Sequence, residues 1–451
     1  MASMQAGAGG QSETVPLAAE VRRREMVLLL ILASVQFTSI VDFMVVMPLG
    51  QQLRRKLHID PTQFGWVVAS YTIAAGVAGL LGSSIMDRFG RKSAYLTLYA
   101  GFLLGTLFCG LSNGYAILLL ARGLTGASGG ILAGLALAII ADVFPEERRG
   151  RATGILMSAF GVATVIGLPT GIYIGARDWH IPFLVLAALG VPVLVIGAMV
   201  LPPIRDHLNH GSHAHPWSQL RETFSNSNHL RAFALTVAVM LGGFSVIPSV
   251  SLFLVSNVGV NEKLGLPWVY ITGGILTLIG APSIGRLADR YGKLPVYRVV
   301  ATISIALMLV VTNLPRVPLA VAAGVVGTFM LSNAGRMVAA LTMVTESVER
   351  RLRGGVMSAN SAVQHLSSGL AAGIGGMLLA DAPDGKLLYF NRVGLFAAFA
   401  TGISLWLAGR VRPAQEATPS LDPGSAETIL LPVMSESTVD FPTDPVSGES
   451  L

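Results

Sequence analysis

The stretch Gly285–Lys293 (GRLADRYGK) lies between two long apolar runs, and Ser83–Lys92 (SSIMDRFGRK) lies between two others. Their aspartates, Asp87 and Asp289, are 202 residues apart. A second basic loop recurs at the same offset, with Arg148, Arg149 and Arg151 in the first copy and Arg350, Arg351 and Arg353 in the second. Two loops that share one offset, in the same order, predict two structural halves.

The composition indicates a membrane protein. The chain has 451 residues, of which 52% are hydrophobic and 12% charged, whereas about 25% are charged in a typical soluble protein. Its net charge of +6 does not indicate nucleic acid as a partner, because the basic residues cluster at the ends of apolar runs. The single cysteine, Cys109, excludes an intrachain disulfide and a thiolate metal site.

The pattern Gly-x-Leu-Ala-Asp-Arg-x-Gly of the second stretch resembles the signature loop of the major facilitator superfamily, and the first copy departs from it at Ser83. The resemblance covers roughly residues 26–412. It implies an all-α polytopic membrane protein in the major facilitator fold, with two pseudo-symmetric six-helix bundles.

The apolar runs predict twelve transmembrane helices, because a span needs about 20 apolar residues. The predicted spans are 26–48, 64–84, 93–112, 115–143, 152–176, 180–202, 231–256, 266–286, 294–313, 317–346, 355–380 and 393–411. They define a tail (1–25), a first half (26–202), a linker (203–230), a second half (231–412) and a disordered acidic tail (413–451). The first span follows no cleavable signal pattern, which predicts that it is retained.

The distribution of Lys and Arg predicts the orientation. Of the 31 basic residues, 21 fall on the side of the two termini, 8 on the other side and 2 inside spans. By the positive-inside rule both termini are cytoplasmic, in an inner membrane. The cluster Arg54-Arg55-Lys56 runs against this rule.

The linker holds five of the eight histidines, which are His207, His210, His213, His215 and His229. Imidazoles bind zinc, but nearby cysteines and regular spacing are missing. A solvated linker is therefore favoured over a metal site.

Two charged residues inside spans of the first half are the leading functional candidates, because such groups are costly there. Asp42 shares a helix face with Gln36 and Ser39 and lies roughly 9 Å from the outer end of its span. Arg122 lies at a similar depth, roughly 10 Å, in the fourth span. If both spans line one cavity, as the family fold implies, the two side chains can pair and couple protons to substrate. The alternative is a static pair that only locks two helices.

Two glycine patterns extend the resemblance. Arg122, Gly126 and Gly130, four residues apart, resemble a span-four motif that is associated with proton-coupled antiport. The stretch Gly167-Leu168-Pro169-Thr170-Gly171 resembles the antiporter motif of the fifth span, with Leu168 inserted as in sugar-efflux permeases. A kinked helix without a role in transport is the alternative for the second pattern.

The second half carries its own polar residues near the predicted membrane midplane. Asn333 and Arg336 share one face of the tenth span with Ser332, and Ser361, Gln364, His365 and Ser368 follow helical spacing in the eleventh. Transporter sites lie at this depth, and Arg336 would attract an anionic or carbonyl-bearing substrate. For His365 a helix–helix hydrogen bond is an equal alternative.

The repeated loops are predicted to be gates. The resemblance implies that the signature aspartate faces the start of the eleventh helix or its counterpart, where a carboxylate is stabilised by the helix dipole. Asp87 would then lie near Gly354 and Gly355, and Arg88 near Asp142. The predicted gate residues are Asp87, Arg88, Gly90, Arg91, Asp142, Asp289, Arg290, Gly292 and Lys293.

These patterns favour a transporter, not an enzyme, that exports a drug, sugar or metabolite against protons by alternating access. A proton symporter or facilitator that imports a metabolite is the first alternative, and a membrane receptor or scaffold with the same fold is the second. The chain lacks a phosphate-binding Gly-x-x-x-x-Gly-Lys-Ser/Thr loop, which predicts no cofactor and the proton gradient as the energy source. The expected partners are a small-molecule substrate, protons and the lipid bilayer, and the expected state is a monomer.

Overall fold

The computed structural model describes residues 14–86, 89–202, 222–349 and 352–414. Most of the predicted linker and of the acidic tail, and the gate residues Asp87 and Arg88, lie outside these ranges, so the predictions for them stay predictions. The compact unit of the structure ends at Pro413.

The first half is a series of long helices joined by short turns. Its helices are α1 (Thr14–Val45), α2 (Gly50–Leu57), α3 (Pro61–Met86), α4 (Arg91–Leu111), α5 (Tyr115–Val143), α6 (Glu146–Val162), α7 (Leu168–Gly175) and α8 (His180–Val200). The segment Ala163–Gly167 is a π-helical turn that joins α6 to α7 into one long helix.

The second half repeats this plan. Its helices are α9 (Ser227–Phe244), α10 (Ile247–Phe253), α11 (Leu266–Tyr291), α12 (Lys293–Thr312), α13 (Leu319–Glu346), α14 (Arg353–Met377) and α15 (Phe390–Ala408). A π turn, Leu254–Val258, follows α10. Strands β1 (Ala380–Asp381) and β2 (Leu387–Leu388) form a short antiparallel hairpin between α14 and α15.

Eleven helices in the described part of the chain are long and apolar enough to cross a membrane. They correspond to eleven of the twelve predicted spans. The twelfth, predicted over 355–380, is α14, which has 25 residues but carries Asn360, Gln364 and His365 among its apolar residues. It packs closely against α3, and this protein contact covers a helix that is less suited to face lipid.

The contacts between the halves are concentrated on one side of the molecule. We call the side where α1 begins and α15 ends the terminal side, and the opposite one the distal side. On the distal side one apolar core joins residues of both halves, such as Val45 and Phe64 with Phe253 and Phe390. On the terminal side each half has apolar clusters of its own. The structure is therefore a conformation that is closed on the distal side.

Small residues allow this closure. A Cβ at Gly65 would lie 2.8 Å from the carbonyl oxygen of Ala372, and one at Gly369 would lie 3.1 Å from that of Ala69. The backbones of α3 and α14 thus approach each other more closely than side chains permit, as is common between membrane helices.

Candidate functional site

Asp42 and Arg122 form an ion pair inside the first half. An Arg122 Nη atom donates to Asp42 Oδ2 at 2.6 Å, and both side chains are 0% exposed. The same nitrogen lies 3.4 Å from the backbone oxygen of Asp42, and Thr106 Oγ1 donates to Asp42 Oδ1 at 3.1 Å. Both carboxylate oxygens therefore accept a hydrogen bond, which a buried carboxylate requires to stay ionised.

The guanidinium of Arg122 has hydrogen-bond donors that the carboxylate of Asp42 does not use. It lies over the ring of Tyr71 at 4.5 Å from the ring centroid, a favourable cation–π arrangement. Its Nε and second Nη are buried and have no hydrogen-bond partner among the described residues. Only one of its nitrogens is thus engaged by the carboxylate, which leaves room for a different set of contacts.

Glycines bring the helices of this site together. A Cβ at Gly126 would lie 2.1 Å from the carbonyl oxygen of Tyr71, and one at Gly130 would lie 2.7 Å from that of Ala75. Both positions admit only glycine, because the obstacle is backbone. They hold α5 against α3 and thereby place Arg122 beside Tyr71.

The glycines of the fifth span face α1. A Cβ at Gly167 would lie 2.4 Å from Val41, and one at Gly171 would lie 2.7 Å from Val45. Pro169 is the second residue of α7, which begins directly after the π turn, and proline is tolerated in a first helical turn because its missing N–H is not needed there. This stretch therefore packs closely against α1.

Arg336 is buried in the second half and has no carboxylate partner among the described residues. One Nη donates to Thr401 Oγ1 at 2.5 Å, and the other lies 2.8 Å from Asn333 Oδ1 and 3.3 Å from the carbonyl oxygen of Val239. Its side chain is 0% exposed. The structure therefore places this predicted substrate residue between α9, α13 and α15, bonded to neutral oxygens.

The remaining predicted substrate residues are not gathered into one hydrogen-bonded group. Ser39 and Ser332 donate to carbonyl oxygens of their own helices, and Ser368 does the same and also contacts Met240. Ser361 is exposed, whereas Gln36, Gln364 and His365 are partly buried.

Several polar contacts escaped the sequence analysis. Asn360 is buried and its Oδ1 accepts from Thr236 at 2.7 Å, which joins α14 to α9. It precedes the predicted Ser361 by one residue, so it faces about 100° around the helix. Thr106, Tyr71 and Thr401 also complete the two arginine sites. Short hydroxyl residues are common in membrane helices, so they give only a weak signal in sequence.

Comparison with known proteins decides the family. The family model described as Major Facilitator Superfamily matches residues 32–332 and 232–436. The chain belongs to the major facilitator superfamily. It is thus a multi-pass membrane transporter and not an enzyme, and the fold predicted from the repeated loops is confirmed.

Relatives and solved structures agree with this assignment. The transporter is 25% identical over 348 residues to YceJ of Bacillus subtilis, an MFS-type transporter, covering 76% of this chain and 87% of that one. It is 33% identical over 129 residues to Multidrug resistance protein 3 of Bacillus subtilis, covering 28% and 25%.

Two solved structures share the fold. A bacterial homologue of the lysosomal transporter Spinster, in an inward-facing and unoccupied conformation, matches with a TM-score of 0.70, 16% identity, and 87% and 99% coverage. The D-xylose-proton symporter matches with a TM-score of 0.70, 15% identity, and 84% and 97% coverage.

Among the described residues, an ion pair connects the gate loop of each half to a neighbouring helix. Arg91 Nε lies 3.0 Å from Asp142 Oδ2 in the first half, and Lys293 pairs with Glu346 in the second. Arg91 and Lys293 share the 202-residue offset. Asp142 was predicted to face Arg88, which lies outside the described residues, and the structure pairs it with Arg91.

The two copies of the gate loop differ in backbone. Gly292 adopts φ of 91°, in the left-handed region that favours glycine, whereas Gly90 has φ of −58°. Asp289 and Arg290 are exposed, and Arg290 lies over the ring of Tyr291.

On the distal side, ion pairs between the two halves engage Arg54 and Arg55, which belong to the basic cluster that runs against the positive-inside rule. Arg54 pairs with Asp381, and Arg55 lies 2.5 Å from Glu262 Oε2. Both arginines lie on α2 in the first half. In the second half, Glu262 lies in the turn before α11 and Asp381 lies at the end of β1. We call these two pairs the distal latch. Next to it, Ser251 Oγ donates to the carbonyl oxygen of Met47 at 2.6 Å.

Proposed function

We propose that this chain exports a small molecule in exchange for protons, with Asp42 as the proton carrier and Arg122 as its partner. The observation that carries the proposal is the fully buried pair between them. A receptor or scaffold with this fold would need no titratable pair inside a helix bundle, because such groups are costly there.

The contacts of the pair support an exchange. In the distal-closed conformation the carboxyl group of Asp42 accepts hydrogen bonds from Arg122 and Thr106. Protonation of Asp42 would remove its attraction to Arg122, whose other buried donors have no protein partner among the described residues. The guanidinium would then turn to new acceptors, and α1 and α5 would be free to shift relative to each other. Binding of the proton thereby favours one conformation over the other.

Two features support export over import. Arg122, Gly126 and Gly130 resemble the antiport motif, and the glycines pack α5 against α3. The relative named Multidrug resistance protein 3 aligns over residues that make up 28% of the chain. We further infer that the terminal side is cytoplasmic, since it carries most of the Lys and Arg residues.

The test uses inside-out vesicles from cells that produce the full chain. Respiration acidifies the vesicle lumen, and an acridine dye reports the gradient. A library of drugs, sugars and metabolites is added outside, where the cytoplasmic face lies. An exported substrate should release protons from the lumen and accumulate inside, in a manner that a protonophore abolishes.

The same vesicles separate the alternatives. A proton symporter of metabolites would not accumulate its substrate in an acidified lumen, because both species would leave together. A facilitator would equilibrate its substrate with no effect on the dye. Either outcome would contradict export by proton exchange.

A further inference from the structure

Three arginines line one cavity at the terminal side of the second half, and a fourth lies beside it. The cavity has a volume of about 250 Å³ and is lined by Arg231, Gly409, Arg410 and Arg412. Arg298 reaches the same place, since one of its Nη atoms lies 3.2 Å from where a Cβ on Gly409 would stand. The cavity thus lies where the starts of α9 and α12 meet the end of α15.

No carboxylate of the described residues pairs with the arginines at this place. Every ion pair among the described residues involves other cations, and none includes Arg231, Arg298, Arg410 or Arg412. The guanidinium of Arg410 is held over the ring of Trp406, 3.8 Å from its centroid. Three arginines that line a cavity and a fourth beside it, with no carboxylate in the described lining, select for an anion with several oxygens.

The backbone around the cavity is fixed. The side-chain amide of Asn228 donates to the carbonyl oxygen of Arg412 at 2.8 Å and accepts from its N–H at 3.1 Å. This reciprocal pair ties the residues after α15 to the start of α9. The arginines are therefore held together before any ligand arrives, which lowers the entropic cost of binding one.

An exposed apolar surface continues from the cavity into the membrane. On α15, Trp406, Ile403 and Phe399 lie on one face at helical spacing, and all three are exposed. On the neighbouring α12, Val299 and Ile303 are exposed as well. This surface suits acyl chains, and Trp406 at its end is typical of the membrane–water interface.

We propose that this arginine cavity binds the phosphate headgroup of an anionic phospholipid, with its acyl chains along α12 and α15. Basic pockets between membrane helices on the cytoplasmic side bind such headgroups. The proposal does not depend on what the protein transports. A competing occupant is the protein's own tail after Pro413, which contains seven acidic residues and no Lys or Arg. The lipid is favoured because the apolar surface beside the cavity would remain uncovered by a polar tail.

The experiment is native mass spectrometry of the full chain in detergent, titrated with cardiolipin, phosphatidylglycerol or phosphatidylcholine. We expect retained adducts of the two anionic lipids and weak ones of phosphatidylcholine. The test variant combines Arg231→Gln, Arg298→Gln and Arg412→Gln. The control variant combines Arg151→Gln, Arg286→Gln and Arg353→Gln, which removes the same charge from the same side.

The test variant should lose anionic lipid affinity by at least about tenfold, since it removes three of the four cations at the cavity, and the control should lose less than about threefold. Equal losses would overturn the proposal, since the lipid would then respond to overall charge only. If the triple variant does not fold, the single variant Arg412→Gln, located after the last helix, should still lose affinity, and an unchanged affinity would overturn the proposal.

Two further arms separate the sources of the anion. Inorganic phosphate at millimolar concentration should neither displace the lipid nor raise the unfolding temperature, and displacement would point to a free anion instead. A full-chain variant with a neutral tail should bind lipid as the wild type does. If only the neutral-tail variant binds lipid, the acidic tail occupies the cavity in the wild type and the proposal is overturned. The tail variant replaces Glu416, Asp422, Glu427, Glu436, Asp440, Asp444 and Glu449 by their amides.

Discussion

At the scale of single residues, the two buried arginines differ in the charge of their hydrogen-bond partners. Arg122 faces a carboxylate, whereas Arg336 is surrounded by neutral oxygens. Their helices, α5 and α13, are equivalent under the 202-residue offset, but the two positions are 214 residues apart. The extra 12 residues displace Arg336 by about 18 Å along the helix. The halves thus share an architecture but not a site, and only the first half holds a buried acid–base pair among the described residues.

The stability of the pair can be measured. Arg122→Ala should destabilise the protein by roughly 3–5 kcal/mol, because it leaves the carboxylate of Asp42 buried without its cation. The double variant Asp42→Asn, Arg122→Gln should recover most of the loss, since no charge remains buried. Unfolding of the purified variants in increasing SDS measures both the loss of stability and its recovery. A double variant as unstable as Arg122→Ala would show that the charge is not the cause.

The glycines of α5 offer a matched pair. Gly126→Ala would bring a methyl group to 2.1 Å from the carbonyl oxygen of Tyr71, whereas a Cβ at Gly123 meets nothing within 4 Å. We expect Gly126→Ala to cost about 1–3 kcal/mol through overpacking and to impair transport, and Gly123→Ala to change neither. Thermal unfolding and transport assays on both variants test this. Equal effects would show that the close approach of α5 and α3 is not important.

The site could be predicted from the sequence only in part. The depths of Asp42 and Arg122 follow from counting residues to the span ends, and the structure brings the two together. The rotation of each helix about its axis does not follow from counting. It turns Arg336 towards Thr401 on α15 and buries Asn360 of α14 while the adjacent Ser361 is exposed.

At the scale of elements, short helix α2 closes the distal side by charge. Removing the acids of the distal latch with Asp381→Asn and Glu262→Gln should favour the opposite conformation by roughly two- to thirtyfold, since partly exposed pairs contribute about 0.2–1 kcal/mol each. Spin labels at Lys56 and Asn261, in a Cys109→Ser background, would measure the separation of the halves. We expect a larger population at long distance.

Asp384→Asn is the control for this experiment. Asp384 pairs with Lys386 within the hairpin between α14 and α15, so its loss breaks no contact between the halves. A shift of the same size in this variant would assign the effect to net charge and not to the latch.

The repeated elements explain why the fold was predictable. A charged loop between two apolar helices must lie at a membrane face, so a pair of such loops at one offset defines two bundles before any contact is known. The distal latch was not predictable. Arg54 and Asp381 are 327 residues apart, and only the packing of the two halves brings them together.

At the scale of the whole molecule, the two halves have one core on the distal side and separate cores on the terminal side. This asymmetry is what alternating access requires, because weak contacts on one side must break as those on the other form. It also assigns the distal latch to one face of the membrane, which the Lys and Arg distribution predicts to be the outer one.

Topology is tested by labelling in intact cells. With Cys109→Ser as background, a cysteine at Ser212 in the linker should react only with a permeant maleimide. A cysteine at Lys263, in a distal turn, should react with an impermeant one. The reverse pattern would invert the orientation and place the distal latch in the cytoplasm.

Substrate-dependent proton flux in proteoliposomes, compared between wild type and Asp42→Asn, tests the central claim most directly. The amide keeps the size of the side chain but cannot ionise. We predict that wild type moves protons when substrate is added, and that Asp42→Asn does not, while it still exchanges labelled for unlabelled substrate at equal concentrations. Proton flux that persists in Asp42→Asn would contradict the account and place the carrier elsewhere, with His365 as the next candidate.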